Sequence, residues 1–290
     1  VLAIRADIDA LPIKEENTFD FASQNPGVMH ACGHDGHTAI VLGTAKVLSR
    51  LKEHIKGEIR FIFQHAEESP PGGAQEMVKA GVMDGVDMVI GTHLLPNLEV
   101  GKIALRYGTV TAAPDEFHIV IQGKGGHGAF PQLSTDSIAI GAQVVTNLQH
   151  IVARNVDPMD NVVISVTRFI GGEAYNVIPD TVEIGGTVRT FDPKVRENVI
   201  TWMERVVKGI TEAHGASYQF EYRRGYDSVI NDQTITKQVE ESLRETFGDQ
   251  AVVIMDKPAP GGEDFSAFLH KAPGTFIGLG AGNREKGITY

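Results

Sequence analysis

The chain has 290 residues, 42% hydrophobic and 22% charged, the proportions of a folded, water-soluble protein with room for one large domain or two ordinary ones. Its 37 acidic residues outnumber 26 basic ones, and the formal charge of -11 argues against a polyanionic partner such as DNA or RNA. A single cysteine excludes an internal disulfide. No stretch reaches about 18 uninterrupted apolar residues and no signal segment opens the chain, so the expectation is a cytoplasmic protein without membrane association. The opening without methionine and the abrupt end read as a fragment.

The first predicted elements alternate strand and helix. "VLAIRADIDA" and "EIRFIFQHAEE" are short apolar runs ending in acids, and "DMVIGTHLLP" carries His93 near its end. Between the first two, Val41, Leu42, Ala45, Leu48 and Leu51 recur at helical spacing, and Gly57 closes the stretch. This is the βαβ pattern of a parallel sheet. Strand carboxyl ends in such sheets open onto the ligand crevice, which brings Asp7, Asp9, Glu67, Glu68 and His93 to one rim. The loop "MHACGHDGH", residues 29–37, precedes a helix N-terminus on that rim.

From about residue 109 the pattern changes. Phe117, Ile119 and Ile121 alternate as one face of a strand, and a helix follows through Ile138, Ala142, Val145, Leu148 and Val152. Two strands, "NVVISVTRFIGG" and "TVEIGGTVRTFD", lead to a helix with Val199, Trp202, Met203, Val206 and Ile210, and "ASYQFEYRRG" closes the series. The order βαββαβ is that of the split βαβ, ferredoxin-like α+β sandwich, a unit that can be inserted whole into another domain. The expectation is therefore an α/β domain formed by 1–110 and 224–290, interrupted by an α+β insert at 111–223, with Gly108 and Gly225 as hinge-like glycines at the junctions.

Cys32 and His34 have C-x-H spacing, which turns a thiolate and an imidazole toward one point, a donor pair that suits zinc and similar ions. Alone the pair reads more readily as buried structure than as a metal site. Adjacent Glu67 and Glu68 point to opposite sides of a strand end, so one could hold a metal while the other acts as general base, or both could lie in a solvated loop. His93 is a further candidate ligand or a core histidine. A thiol nucleophile at Cys32 is the competing chemistry, and it leaves Glu67, Glu68 and His93 without a task.

Taken in order, "RADIDALP", "MHACGHDGHTA", "FIFQHAEE", "GTH", "GKGGHGAFP", "YNVIPD", "GTVRTFD" and "GGEDF" resemble the M20 metallopeptidases, and within them the M20D amidohydrolases, which include aminoacylases and hippurate hydrolases. The resemblance implies a metal-binding catalytic α/β domain with an inserted dimerisation or lid domain. It implies metal ligands Cys32, His34, Glu68 and His93, with His34 bridging two divalent ions (zinc, manganese, cobalt or nickel), and Glu67 as general base and then acid. Asp7 and Asp9 match the acids beside the site, Asp9 in an orienting role, while His30 and His37 are expected to be orienting or structural. In the insert, His127 matches a histidine that reaches the partner subunit's site of a homodimer to hold the oxyanion, and Asn176 and Arg189 match residues that hold the substrate. A further ligand histidine, which the family carries in a C-terminal His-rich motif, has no counterpart before Tyr290. The function so implied is hydrolysis of N-acyl-L-amino acids by metal-activated water. The alternative is a non-catalytic metal-dependent binding protein on the same scaffold.

Overall fold

Apolar residues in "LAIRAD" form β1 (Leu2–Asp7), and this strand sits between β2 (Ile59–Gln64) and β3 (Met88–Glu99), parallel to both. Helix α1 (His34–Arg50) makes the first crossover and α2 (Gly73–Lys79) the second. Then come β4 (Ile103–Leu105) and the two-residue β5 (Gly108–Thr109). The computed structural model describes residues 1–288 and divides them into two units. One comprises 1–111, 229–259 and 263 onward, and the other 112–228 with 260–262.

The second unit begins with β6 (Ala113–Gln122) and β7 (Gly126–His127), followed by α3 (Ser137–Arg154) and β8 (Val162–Ile170). It continues through β9 (Val177–Ile178), β10 (Thr181–Thr190), α4 (Pro193–Ala213) and β11 (Ser217–Arg223). Its sheet runs β11-β6-β10-β8 with every pair antiparallel, the strand order of the split βαβ sandwich. Phe117, Ile119 and Ile121 of β6 are buried, as their alternation predicts. The buried row of α3 is Ile140, Val144, Leu148 and Ile151 rather than the stripe expected from Ile138. Neighbouring apolar pairs such as Val144 with Val145 offer two rows about 100° apart, and only packing chooses between them. In α4 the choice falls on Val199, Met203 and Val207.

The exit of this unit lies at Ser228 rather than at 223. The reason is a buried cluster at the start of β6. Asp115 accepts hydrogen bonds from the Arg196 guanidinium, the Tyr222 hydroxyl and the Gly225 amide, and Arg196 also reaches Asp227. Removing one partner of such a pair leaves a buried charge uncompensated. Asp115→Ala should therefore destabilise the unit by about 3–5 kcal/mol, read as a shifted denaturant midpoint. An unchanged midpoint would mean that the cluster does not hold the junction.

The first unit resumes with β12 (Ile230–Asn231), which pairs with β5, then α5 (Gln233–Phe247), β13 (Val252–Ile254), α6 (Ser266–Leu269) and β14 (Gly274–Gly282). Its main sheet runs β13-β4-β14-β3-β1-β2 and is parallel except where β14 meets β4. Phe265, Phe268 and Phe276 pack with Ala3, Ile62 and Val89 in its core. Of the apolar stripe expected on α1 only Val41 is fully buried, together with His34 and His37, while Leu42 and Leu51 are exposed. The first turns of this helix hold it to the sheet, and they do so with imidazoles.

Candidate metal centre

Strand carboxyl ends and one helix N-terminus place the chemistry. Asp7 closes β1, Glu67 and Glu68 follow β2, and His93 lies in β3 two residues past Gly91, where pairing with β1 ends. Gly33, at φ +85°, turns the chain between Cys32 and the first residue of α1, His34. Ala66, at φ +53°, is the one non-glycine with positive φ among the described residues, and it immediately precedes Glu67. Strain of this kind persists only where the surroundings over-determine the backbone, and it clusters at functional sites.

His34 is the hub. Its Nδ1–H donates to Asp9 Oδ1 at 3.1 Å, and the other oxygen of Asp9 accepts the Glu68 amide at 3.0 Å. That leaves His34 Nε2, buried and without a hydrogen-bond partner, facing Asp7 Oδ2 at 3.4 Å and oxygens of Glu67 and Glu68 at 4.0 Å. Cys32 Sγ lies 3.4 Å from His93 Nε2, and His93 Nδ1–H donates to the Leu94 carbonyl at 2.7 Å. Donor atoms of Cys32, His34 and His93 lie within 4.8 Å of one another, and so do those of His34, Glu67 and Glu68.

A buried lone pair aimed at carboxylate oxygens is repulsive unless a cation lies between them. Donors held about 2.0–2.3 Å from one ion are roughly 3.3–3.8 Å apart, close to the spacings around His34. Thiolate, imidazole and carboxylate together suit a borderline divalent ion. The residues therefore fit a metal.

Electrostatics point the same way. Burial, reinforced by Glu68, Glu67 and Asp7, pushes the Cys32 thiol far up, the opposite of what a thiol nucleophile needs. Burial, with Glu263, Asp264 and Glu68 adding to it and Arg5 opposing, raises Glu67 to about 10. A carboxyl in that state becomes a base near neutral pH only when positive charge is brought beside it.

Beneath the rim lies a cluster that sequence reasoning missed. Arg5 is fully buried and donates to Gln64, Asp7, Glu263 and Asp264 at 2.8–3.0 Å. Asp264 also accepts from Gln64 and from the Ala74 amide, and Glu263 from the Phe265 amide. Burial alone would raise Asp7, but hydrogen bonding from His37 and the charge of Arg5 hold it well below the usual carboxylate range. The available signal was an arginine inside an apolar strand, which requires buried acids opposite it.

In the second unit, His127 of β7 stands opposite Val177 of β9, and the Asn176 carbonyl accepts the Gly128 amide at 2.8 Å. His127 Nδ1 accepts the Ala129 amide at 3.1 Å, which fixes the proton on Nε2 and makes that exposed nitrogen a donor. Arg189 sits at the other end of β10, opposite Pro114, whereas Thr181 at the His127 end is opposite Gln122.

The sequence from 3 to 289 matches the family model for peptidase family M20/M25/M40. The chain belongs to that family. An N-acyl-L-amino acid amidohydrolase of Geobacillus stearothermophilus is 69% identical to this M20 chain over 231 residues, covering 80% of the chain and 62% of that relative. An N-acetylcysteine deacetylase of Bacillus subtilis is 44% identical over 286 residues, 99% of the chain and 74% of the relative. A Bacillus subtilis crystal structure described as a dinuclear metal-binding peptidase of the M20 family superposes with a TM-score of 0.83 at 41% identity, covering 96% of this chain and 71% of that one. The M20 chain thus spans about three fifths to three quarters of the length of these relatives.

Proposed function

We propose that this protein hydrolyses the amide bond of N-acyl-L-amino acids at a centre of two divalent ions, held by Cys32, His34, Glu68 and His93, with Glu67 as the proton carrier. The observation that carries this reading is the buried Nε2 of His34, without a hydrogen-bond partner, on a residue that belongs to both groups of donors. Bound ions would lower the pKa of a water and polarise the scissile carbonyl. Glu67 would take a proton from the attacking water and pass it to the leaving amine as the C–N bond breaks. Asp9 holds the His34 ring and the Glu68 backbone in register. The intact Glu67 favours an enzyme over a metal-dependent binding protein.

Within the same proposal, Arg189 grips the substrate carboxylate, Asn176 contacts the substrate and His127 donates Nε2–H to the developing oxyanion. Eight strand residues, about 26 Å, separate the two ends of β10 that carry Arg189 and the His127 hairpin. That exceeds the span of an N-acyl amino acid, so a substrate meeting both draws them from two copies of the chain, which supports a homodimer through the inserted unit. Among the described residues no helix is long and apolar enough to cross a membrane. A cytoplasmic location belongs to the proposal.

The test is amine release from N-acetyl and N-benzoyl L-amino acids supplied with zinc, manganese, cobalt or nickel. Turnover should vanish on chelation and return with added ion. Turnover that survives complete removal of metal would overturn the metal reading.

A further inference from the structure

His37 is fully buried in the same cluster and takes no part in the chemistry above. Its Nε2 accepts the Leu94 amide at 2.8 Å, so the ring proton lies on Nδ1, which donates to Asp7 Oδ1 at 2.6 Å. Both ring nitrogens are therefore used, and His37 cannot also bind an ion. Leu94 is the residue after His93, and its carbonyl accepts His93 Nδ1–H. One residue is thus tied through both of its backbone polar groups: its amide to His37, its carbonyl to the imidazole proposed to bind metal. The pairing of β1 with β3 ends at Arg5 and Gly91, so His37 takes over an amide beyond the last rung. The Leu94 side chain is confined as well, since a Cβ on Gly36 would come within 2.5 Å of its Cδ1.

We infer that His37 is a positioning residue for the metal centre: through the Leu94 backbone it fixes the direction in which His93 Nε2 points toward Cys32. Arg5 anchors the far end by holding Asp7. A ring bonded on both sides has one tautomer and one orientation, which is how outer hydrogen bonds tune a metal ligand. This inference rests on the metal reading above. It adds a residue whose polar atoms never touch the ion.

Metal-free wild type and three His37 variants titrated with Co²⁺ would test it, following the visible cobalt bands and the thiolate-to-cobalt band of Cys32, with thermal unfolding of each metal-free protein alongside. His37→Gln can place an amide oxygen where Nε2 accepts from Leu94, whereas His37→Asn reaches only the Nδ1 position at Asp7. We expect His37→Asn and His37→Phe to bind cobalt about 10- to 100-fold more weakly with altered visible bands, and His37→Gln to recover most of the affinity. A merely structural histidine would not separate Gln from Asn. Equal affinity and unchanged bands in all variants would overturn the inference, and so would equal losses in Gln and Asn. Absence of cobalt binding by wild type would instead overturn the metal reading itself.

Discussion

Glu67→Gln is expected to lower turnover of N-acyl amino acids by about 100- to 10,000-fold while metal affinity changes little. Glutamine has the shape of glutamate but cannot take a proton, and Glu68, the neighbouring carboxylate proposed to bind metal, is untouched. Glu67 is buried in company with Glu263 and Asp264, so the substitution also removes one acid from a crowded group. That gives a second expected result with a defined sign. Glu67 is raised to about 10 in the folded, metal-free protein, against roughly 4.3 for a free glutamate. Folded wild type therefore keeps a proton that the unfolded chain gives up, and its stability falls as pH rises through that window. The metal-free Gln variant lacks this penalty and should gain on wild type as pH rises. Steady-state kinetics at saturating metal, bound-metal analysis and denaturation at several pH values check both results. A variant that retained more than about a tenth of wild-type turnover would show that another group carries the proton.

The parts of this protein legible in its sequence are those with a short-range signature. Strand-end acids, the C-x-H loop and the β6 alternation announce themselves within a few residues, because strand period and turn chemistry are local. Which row of α3 faces the sheet is not local, since Val144 and Val145 are equally apolar and the partner strands decide. The cluster around Arg5 joins residues about 260 positions apart, and Glu263 and Asp264 in "GGEDF" carry no sign of the arginine they neutralise. His37 was legible as an imidazole near the site, but its grip on Leu94 depends on where β1 stops pairing with β3. The unit boundary at Ser228 likewise follows from the contacts of Asp115, whose neighbours in sequence read only as the start of a strand.

Replacing Arg5 should damage the fold more than any change at the rim. Arg5→Met keeps most of the apolar volume and removes the cation that meets Asp7, Glu263 and Asp264, all nearly or fully buried. Deleting one side of a buried ion pair costs about 3–5 kcal/mol because the other side is left charged in a poor solvent. Burial already raises Asp264 to about 7 against the charge of Arg5, so it can shed its charge by taking up a proton, and the expected destabilisation lies within that range. Arg5→Lys restores the charge but not the planar fork that reaches Gln64, Asp7, Glu263 and Asp264 together, and should fall between wild type and Met. The pH dependence is part of the expectation. Asp7 is held below its ordinary value, so its contribution is present above about pH 4 and is lost as pH falls through its lowered folded value. The deficit of Arg5→Met should accordingly be largest near neutral pH and shrink on acidification, when its buried acids can take up protons. Denaturant midpoints for wild type, Lys and Met followed from neutral pH to well below pH 4 measure this directly. A Met variant as stable as wild type at pH 7 would mean that Arg5 does not hold the sheet together beneath the candidate metal centre.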